Sequence, residues 1–355
     1  MRAGPADAPA WLLMAECQRA LGERAAEGAA IDRALALAPK DLAALLAKGD
    51  FLVAGGDARA ASSFYTAALQ HMPRYQALPS HLQEGLRRAQ SVTQRLVREL
   101  EDFVRAKLDE RGVNTSGAPP RFGNAVDIMF GRKRAYVQQP RYFYYPELPQ
   151  IQFYEREQCP WLDAVEAAAD DIRSELDAVI GGDFKPYVTA PANRAQRDQL
   201  GLAGNPDWSA YFLHKEGVDH AGAARCPLTM ASLADAPLTR IPNRAPAILF
   251  SKLAGGAHIP PHTGMINARL VCHLPLVIPP GCEFRVGNDL RVWQQGKAWA
   301  FDDTIEHEAW NRSDRDRYIL IFDVWRPELS LDERAAIAAL CEAIDTYGGK
   351  VAWDA

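Results

Sequence analysis

Pro260-Pro261-His262-Thr263-Gly264 and Asp302-Asp303-Thr304-Ile305-Glu306-His307-Glu308-Ala309-Trp310 stand inside the segment 251–325. Around these phrases the chain runs in short β-rich pieces broken by Gly and Pro, at 247–253, 269–276, 282–286, 297–301 and 318–325. Pieces of that length and spacing predict an antiparallel sandwich or barrel. Two histidines at separate strand margins, 45 residues apart, raise the question of a metal site.

The bulk properties bound the answer. A chain of 355 residues can bury a sizeable core and hold more than one domain. A net charge of -5 and a pI near 5.9 leave no electrostatic footprint for nucleic acid. No apolar run reaches the ~18 residues that a membrane span needs, and the N-terminus lacks the build of a signal peptide. Six scattered cysteines without a CxxC pair favour free thiols and a cytoplasmic setting. The opening residues run almost directly into a helical pattern, which is compatible with a longer natural chain.

The front of the chain repeats itself. Gly22 and Gly56, Ala34 and Ala68, Leu35 and Leu69, and Pro39 and Pro73 each stand 34 residues apart. That is the period of paired antiparallel helices in tetratricopeptide repeats. It predicts an α-helical, tetratricopeptide-like region over 1–75, serving either as a plain helical array or as a peptide-docking surface. Leu82, Leu86, Leu96, Leu100, Phe103 and Leu108 then recur at helical spacing. They predict one long helix and a linker over 76–120, with Arg87, Arg88, Arg95, Arg98, Glu99, Glu101 and Asp102 on a solvated face. A barrel domain over 121–330 and a C-terminal helix and tail over 331–355 complete the expected organisation. The aromatic run at 142–145 suits either a substrate wall or wedges between a helix and a sheet. Residues 161–180 read as a helix and 207–213 as a strand.

Neutral imidazole ligates iron, zinc, copper and nickel alike, so spacing and context must select. His71, His81, His214 and His220 have no supporting context, and the Ile-Pro-Pro after His258 forbids a chelating helix. His262 and His307 each follow turn chemistry, and Asp302 and Asp303 are candidate acceptors to fix an imidazole tautomer. Arg317, ten residues past His307, can grip a carboxylate bidentately. Lys252, Arg285 and Arg291 are either solvent-facing charges or contacts for an anionic substrate.

Taken together, Pro-His-Thr-Gly, Phe-Asp-Asp-x-x-x-His-Glu-x-Trp, Arg317 and Asp323-Val324-Trp325-Arg326-Pro327-Glu328-Leu329 resemble the aspartyl/asparaginyl β-hydroxylase family. The likeness covers roughly half the chain, weakening back to 145–149. It implies an α+β protein whose catalytic domain is a double-stranded β-helix (jelly roll, cupin-like), using Fe(II), 2-oxoglutarate and O2. By the same resemblance His262 and His307 hold the iron, Arg317 and Ser251 bind the distal carboxylate of 2-oxoglutarate, and His273 contacts that cosubstrate. The helical front is similar to repeats joined to this domain in animal members.

Two positions bear on mechanism and substrate. Most Fe(II) oxygenases add a carboxylate two residues after the first histidine. That position is Gly264, so water or chloride would fill the place. In the animal enzymes an arginine two residues before the cosubstrate histidine holds the substrate carboxylate. Here that position is Val271, and nearby Arg269 is expected on the opposite strand face. The expected reaction is hydroxylation of an unactivated C–H, at the β-carbon of an Asp/Asn-type residue in a peptide, protein or amino-acid-like substrate. The competing expectations are a halogenase, a lipid acyl-chain hydroxylase, and a non-catalytic repeat scaffold that binds peptides.

Overall fold

A computed structural model describes residues 7–72, 78–113, 120–182, 184–189 and 201–348. It divides the chain into two units, Met1–Lys133 and Arg134–Ala355.

The first unit is helical: α1 (Ala8–Ala20), α2 (Arg24–Leu37), α3 (Leu42–Ala54), α4 (Ala58–Gln70), α5 (Ser80–Glu110) and α6 (Pro120–Met129). Asp7, Asp41 and Asp57 cap α1, α3 and α4 by accepting from the amide three residues on. The 34-residue period has a local cause. Gly22 and Gly56 take the same left-handed conformation (φ 75° and 83°) after α1 and α3, where a side chain would be strained. Ala34 and Ala68 are fully buried where the paired helices pack, since a larger residue would hold them apart. Pro39 follows α2, and Pro73 lies outside the described residues. Leu86 and Ala89 of α5 close this core against Leu46 and Tyr65. The charged face expected on α5 is not wholly solvated. Glu101 is 2 % exposed, held by Arg105 at 2.7 Å and Arg132 at 2.6 Å, because two guanidiniums offset its desolvation.

The second unit is built on two antiparallel sheets. Its strands are β1 (Lys185–Pro186), β2 (Trp208–Lys215), β3 (Val218–Asp219), β4 (Ile248–Leu253), β5 (His258–His262), β6 (Arg269–Val277), β7 (Cys282–Val286), β8 (Asp289–Val292), β9 (Trp299–Phe301), β10 (His307–Asn311) and β11 (Arg317–Trp325). The larger sheet has the order β1-β2-β4-β11-β6-β9, with β3 on β2, and the smaller has β5-β10-β7-β8. From β4 onward the chain crosses between sheets, so its core strands form a double-stranded β-helix, the jelly roll of cupin-like domains. The strands at β5, β8 and β10 were not among the β-rich pieces read from composition. Pro260 and Pro261 lie at the edge of the smaller sheet, which tolerates residues lacking an N–H.

All nine residues of β11 are buried, because both of its faces are covered. Its even positions (Leu320, Phe322, Val324) pack outward with Ile172, Leu176 and Val179 of a helical layer. That layer is α7 (Leu162–Ala167) and α8 (Ala169–Val179), two helices where the sequence suggested one. The odd positions Ile319 and Ile321 face between the sheets with Leu249, Leu253, Val271, Phe284 and Phe301. The aromatic run serves as wedges: Tyr142, Phe143 and Tyr145 pack on Ile241, Ile266 and Trp325. The same cluster takes in Ile337 and Cys341 from the C-terminal helix, Leu331–Gly348.

Candidate active site between the sheets

His262 ends β5 and His307 begins β10, and the antiparallel register makes the two residues direct cross-strand partners. Their ring centroids are 4.1 Å apart. Each ring is tethered by its own strand: Nδ1 of His262 lies 2.8 Å from the Pro260 carbonyl, and Nδ1 of His307 lies 3.1 Å from the Ile305 carbonyl. Nδ1 therefore carries the proton in both, and each Nε2 is left as a lone-pair donor. Backbone carbonyls, not the carboxylates of Asp302 and Asp303, fix these tautomers, which corrects the expectation from the motif. Burial holds both imidazoles below the usual histidine range, and the neighbouring His262 adds to the effect on His307. They are neutral, as a metal ligand must be.

Asp302 and Asp303 instead build the approach to β10. Asp302, fully buried, accepts from the Thr304 amide at 3.0 Å and from its hydroxyl at 2.6 Å, pairing with the equally buried Arg326 at 2.7 Å. Asp303 packs on Gly264, whose amide donates to the Asp303 carbonyl at 2.7 Å. Its carboxylate pairs with Arg269 at 3.0 Å, and Arg269 reaches Asp323 at 2.6 Å. Burial pushes the Asp303 carboxyl up to about 7, opposed by Arg269. Arg269 is thus on the inner face with Val271 and His273, since residues two apart on a strand point the same way.

Farther along this face, Arg317 begins β11 and Ser251 lies on β4. The register pairs Arg317 with Leu253 and Ile319 with Ser251, so the two are diagonal neighbours on one face. Arg317 is 1 % exposed and its Nε has no hydrogen-bond partner among the described residues. Burial brings this guanidinium down to about 10. Ser251 Oγ accepts from Trp208 Nε1 at 3.3 Å, leaving its own hydrogen to donate. His273, also buried, is held well below the histidine range by burial and by the Arg317 charge, and its Nδ1 has no partner among the described residues.

Other candidates fall elsewhere. His258 pairs with Glu308 at 3.1 Å and stacks on Trp310. Arg285 is neither free in solvent nor open to a substrate, being tied to Glu306 at 2.9 Å and to Glu308. Arg291 is half-buried over the Phe153 ring at 3.7 Å, and Lys252 lies 3.4 Å from Asp316. No group of three or more His, Cys, Asp or Glu among the described residues is arranged for a metal ion. An ion on His262 and His307 would complete its coordination from solvent and ligands.

Residues 166–327, spanning both histidines, Arg317, Ser251 and His273, match the family model described as Aspartyl/Asparaginyl beta-hydroxylase. This part of the chain belongs to that family. Over 136 residues the β-hydroxylase domain is 40% identical to the human aspartyl/asparaginyl beta-hydroxylase, a match covering 38% of this chain and 18% of that protein. It is 32% identical over 187 residues to the ornithine lipid ester-linked acyl 2-hydroxylase of Rhizobium tropici, covering 52% of this chain and 63% of that one. The chain therefore spans under two thirds of these relatives. Among solved structures, a cupin domain from Bordetella pertussis aligns at 15% identity over 24% of this chain and 86% of that chain, with a TM-score of 0.20. No helix among the described residues is long and apolar enough to cross a membrane.

Two features of this β-hydroxylase domain were missed in the sequence. Gly264 stands out in the sequence as the vacant carboxylate position, but only the fold places Asp303 against it. Trp293 carried no motif at all.

Proposed function

We propose that the barrel unit is an Fe(II)- and 2-oxoglutarate-dependent hydroxylase, in which His262 and His307 hold the metal and Arg317, Ser251 and His273 receive the cosubstrate. One observation carries this reading: two neutral imidazoles that keep Nε2 as the lone-pair nitrogen share an interior with a buried guanidinium that has no carboxylate partner among the described residues. A buried, unpaired cation is expensive to keep and makes sense where an anionic ligand arrives. A dicarboxylate suits it, since a guanidinium forks onto a carboxylate.

When bound, Fe(II) with 2-oxoglutarate and dioxygen supplies the oxidising power that converts C–H to C–OH, releasing succinate and carbon dioxide. The chain contributes position and shielding. Pro260 and Ile305 hold the imidazole protons at Nδ1, so Nε2 stays available. Arg317 and the Ser251 hydroxyl orient the distal carboxylate, and the Phe153, Phe284 and Phe301 rings exclude water.

Asp303 argues for hydroxylation over halogenation. Its carboxyl stands at Gly264, where other Fe(II) oxygenases have their third protein ligand. In its ionised form, which Arg269 at 3.0 Å favours, that carboxylate accepts a hydrogen bond from water and repels chloride.

For the substrate, the two relatives share a chemistry in their names. The β-carbon of Asp or Asn and carbon 2 of an acyl ester are both methylenes next to a carbonyl. We assign that class of C–H to this protein. Val271 offers no charge, and Arg269 is neutralised by Asp303 and Asp323, which supports an uncharged carbonyl, amide or ester, over a free carboxylate.

The test is anaerobic loading with Fe(II) and 2-oxoglutarate, then oxygen with asparaginyl peptides, aspartyl peptides or acyl esters. Succinate and a product heavier by one oxygen atom are expected with an amide or ester. Absence of 2-oxoglutarate binding would overturn the cosubstrate assignment, and exclusive turnover of aspartyl peptides would overturn the substrate class.

A further inference from the structure

We infer that Trp293 binds the distal carboxylate of the cosubstrate, its indole N–H joining Arg317, Ser251 and His273 as a further buried donor to that group; this rests on the cosubstrate reading above. Trp293 follows β8 directly and is 3 % exposed. Its Nε1 has no hydrogen-bond partner among the described residues. The Arg317 guanidinium carbon lies 4.9 Å from its ring centroid, and the His273 ring lies 6.0 Å away. The atoms lacking partners in those two neighbours, Nε of Arg317 and Nδ1 of His273, are donors too when the imidazole proton sits on Nδ1.

Each orphaned donor is costly, and native interiors keep few of them. Three from separate elements, on side chains that lie 4.9 and 6.0 Å from the Trp293 ring and on Trp293 itself, call for a ligand that only accepts. A carboxylate offers about four lone-pair positions and no donor, so it can satisfy all three. A cation or an amide cannot. Trp293 has a second part in the same site, because its ring face steadies a guanidinium that has no carboxylate partner among the described residues. Trp299 Nε1 also lacks a partner among the described residues and the two indoles stack at 5.9 Å, but the guanidinium lies over Trp293 and makes no cation–π contact with Trp299 among the described residues. It is the natural comparison.

Trp293→Phe keeps a ring and deletes the N–H. In the Fe(II)-loaded full chain under argon, 2-oxo acid binding is followed by the metal-to-ligand charge-transfer absorbance. The variant should need about 10- to 100-fold more 2-oxoglutarate, the range for a hydrogen bond to a charged group. Pyruvate, which lacks the distal carboxylate, should bind it within about twofold of wild type, and Trp299→Phe should leave both acids unchanged. Unaltered 2-oxoglutarate binding, equal weakening of both acids, or an equal effect of Trp299→Phe would overturn the inference. Wild type that binds pyruvate but gains nothing from 2-oxoglutarate would sink the cosubstrate reading along with it. A measurement on wild type guards against a variant that does not fold. In the zinc-loaded, ¹⁵N-tryptophan-labelled protein, succinate should shift an indole N–H resonance downfield and butyrate should not. No shift overturns the assignment.

Discussion

Asp303 occupies the space that a side chain at Gly264 would need. A Cβ built on Gly264 would lie 1.9 Å from Oδ2 of Asp303 and 2.3 Å from its Cγ. These are covalent-like distances, so one of the two residues must move. Gly264→Ala should therefore cost about 2–3 kcal/mol of stability, the scale of forced overpacking. Gly264→Asp should be worse alone, and the added change Asp303→Gly should recover much of the loss. Thermal melts of the three variants check this, and a Gly264→Asp protein as stable as wild type would contradict the packing.

Replacing either imidazole should remove the metal rather than merely slow the reaction. His262→Ala and His307→Ala each leave a single protein nitrogen where two face each other across the β5–β10 pair. Iron affinity should fall by more than about 100-fold, beyond the usual cost of losing a supporting contact to a ligand. Equilibrium dialysis with Fe(II) or Zn(II) measures it, and succinate formation should vanish in parallel.

Arg317 should trade stability for binding. Its charge is buried with no ion-pair partner among the described residues, so Arg317→Met should stabilise the ligand-free fold by about 1–3 kcal/mol. The same change should abolish the rise in melting temperature that 2-oxoglutarate gives wild type. A drop in ligand-free stability would mean the guanidinium is satisfied within the protein.

The Asp302–Arg326 pair should behave in the opposite way. Both side chains are fully buried, and Asp302 also accepts from Gln138 at 2.6 Å. Asp302→Ala removes the nearer, fully buried counter-charge of Arg326, leaving only Glu328 at 3.4 Å among the described residues, and releases the Thr304 turn that leads to His307. A loss of about 3–5 kcal/mol is expected from denaturant unfolding.

Asp303 sets a pH dependence in the metal-free protein. Its carboxyl rises from 3.8 to about 7 on folding, so the folded state keeps a proton that the unfolded chain has already lost. The group is thus least costly below the unfolded value, and stability declines as pH climbs through the folded one. Asp303→Asn mimics the protonated form. The melting temperature of the variant minus that of wild type should increase between about pH 5 and about pH 8. A constant difference would show that Asp303 does not titrate in this window.

Much of the architecture is legible in local chemistry. The recurrence of Gly22 and Gly56 marks helix ends because only glycine takes that backbone cheaply, and the β-rich pieces at 282–286 and 318–325 became strands at nearly the same bounds. The motifs around His262, His307 and Arg317 pointed to residues that do gather on one interior. Other features depended on distant partners. Glu101 looked like a surface charge until Arg105 and Arg132 buried it, and Arg285 looked free until β7 paired with β10.

Turn chemistry, period and motif are properties of neighbouring residues, so the amino-acid order alone determined the helical front, the strand-rich barrel and the two histidine phrases. Register and sheet crossing are sums over the whole jelly roll. They alone decided that His262 opposes His307, that Asp303 fills the place beside Gly264, and that Arg269 is neutralised. They also set Arg317 and His273 beside Trp293, because these side chains come from parts of both sheets that meet only when the two have closed.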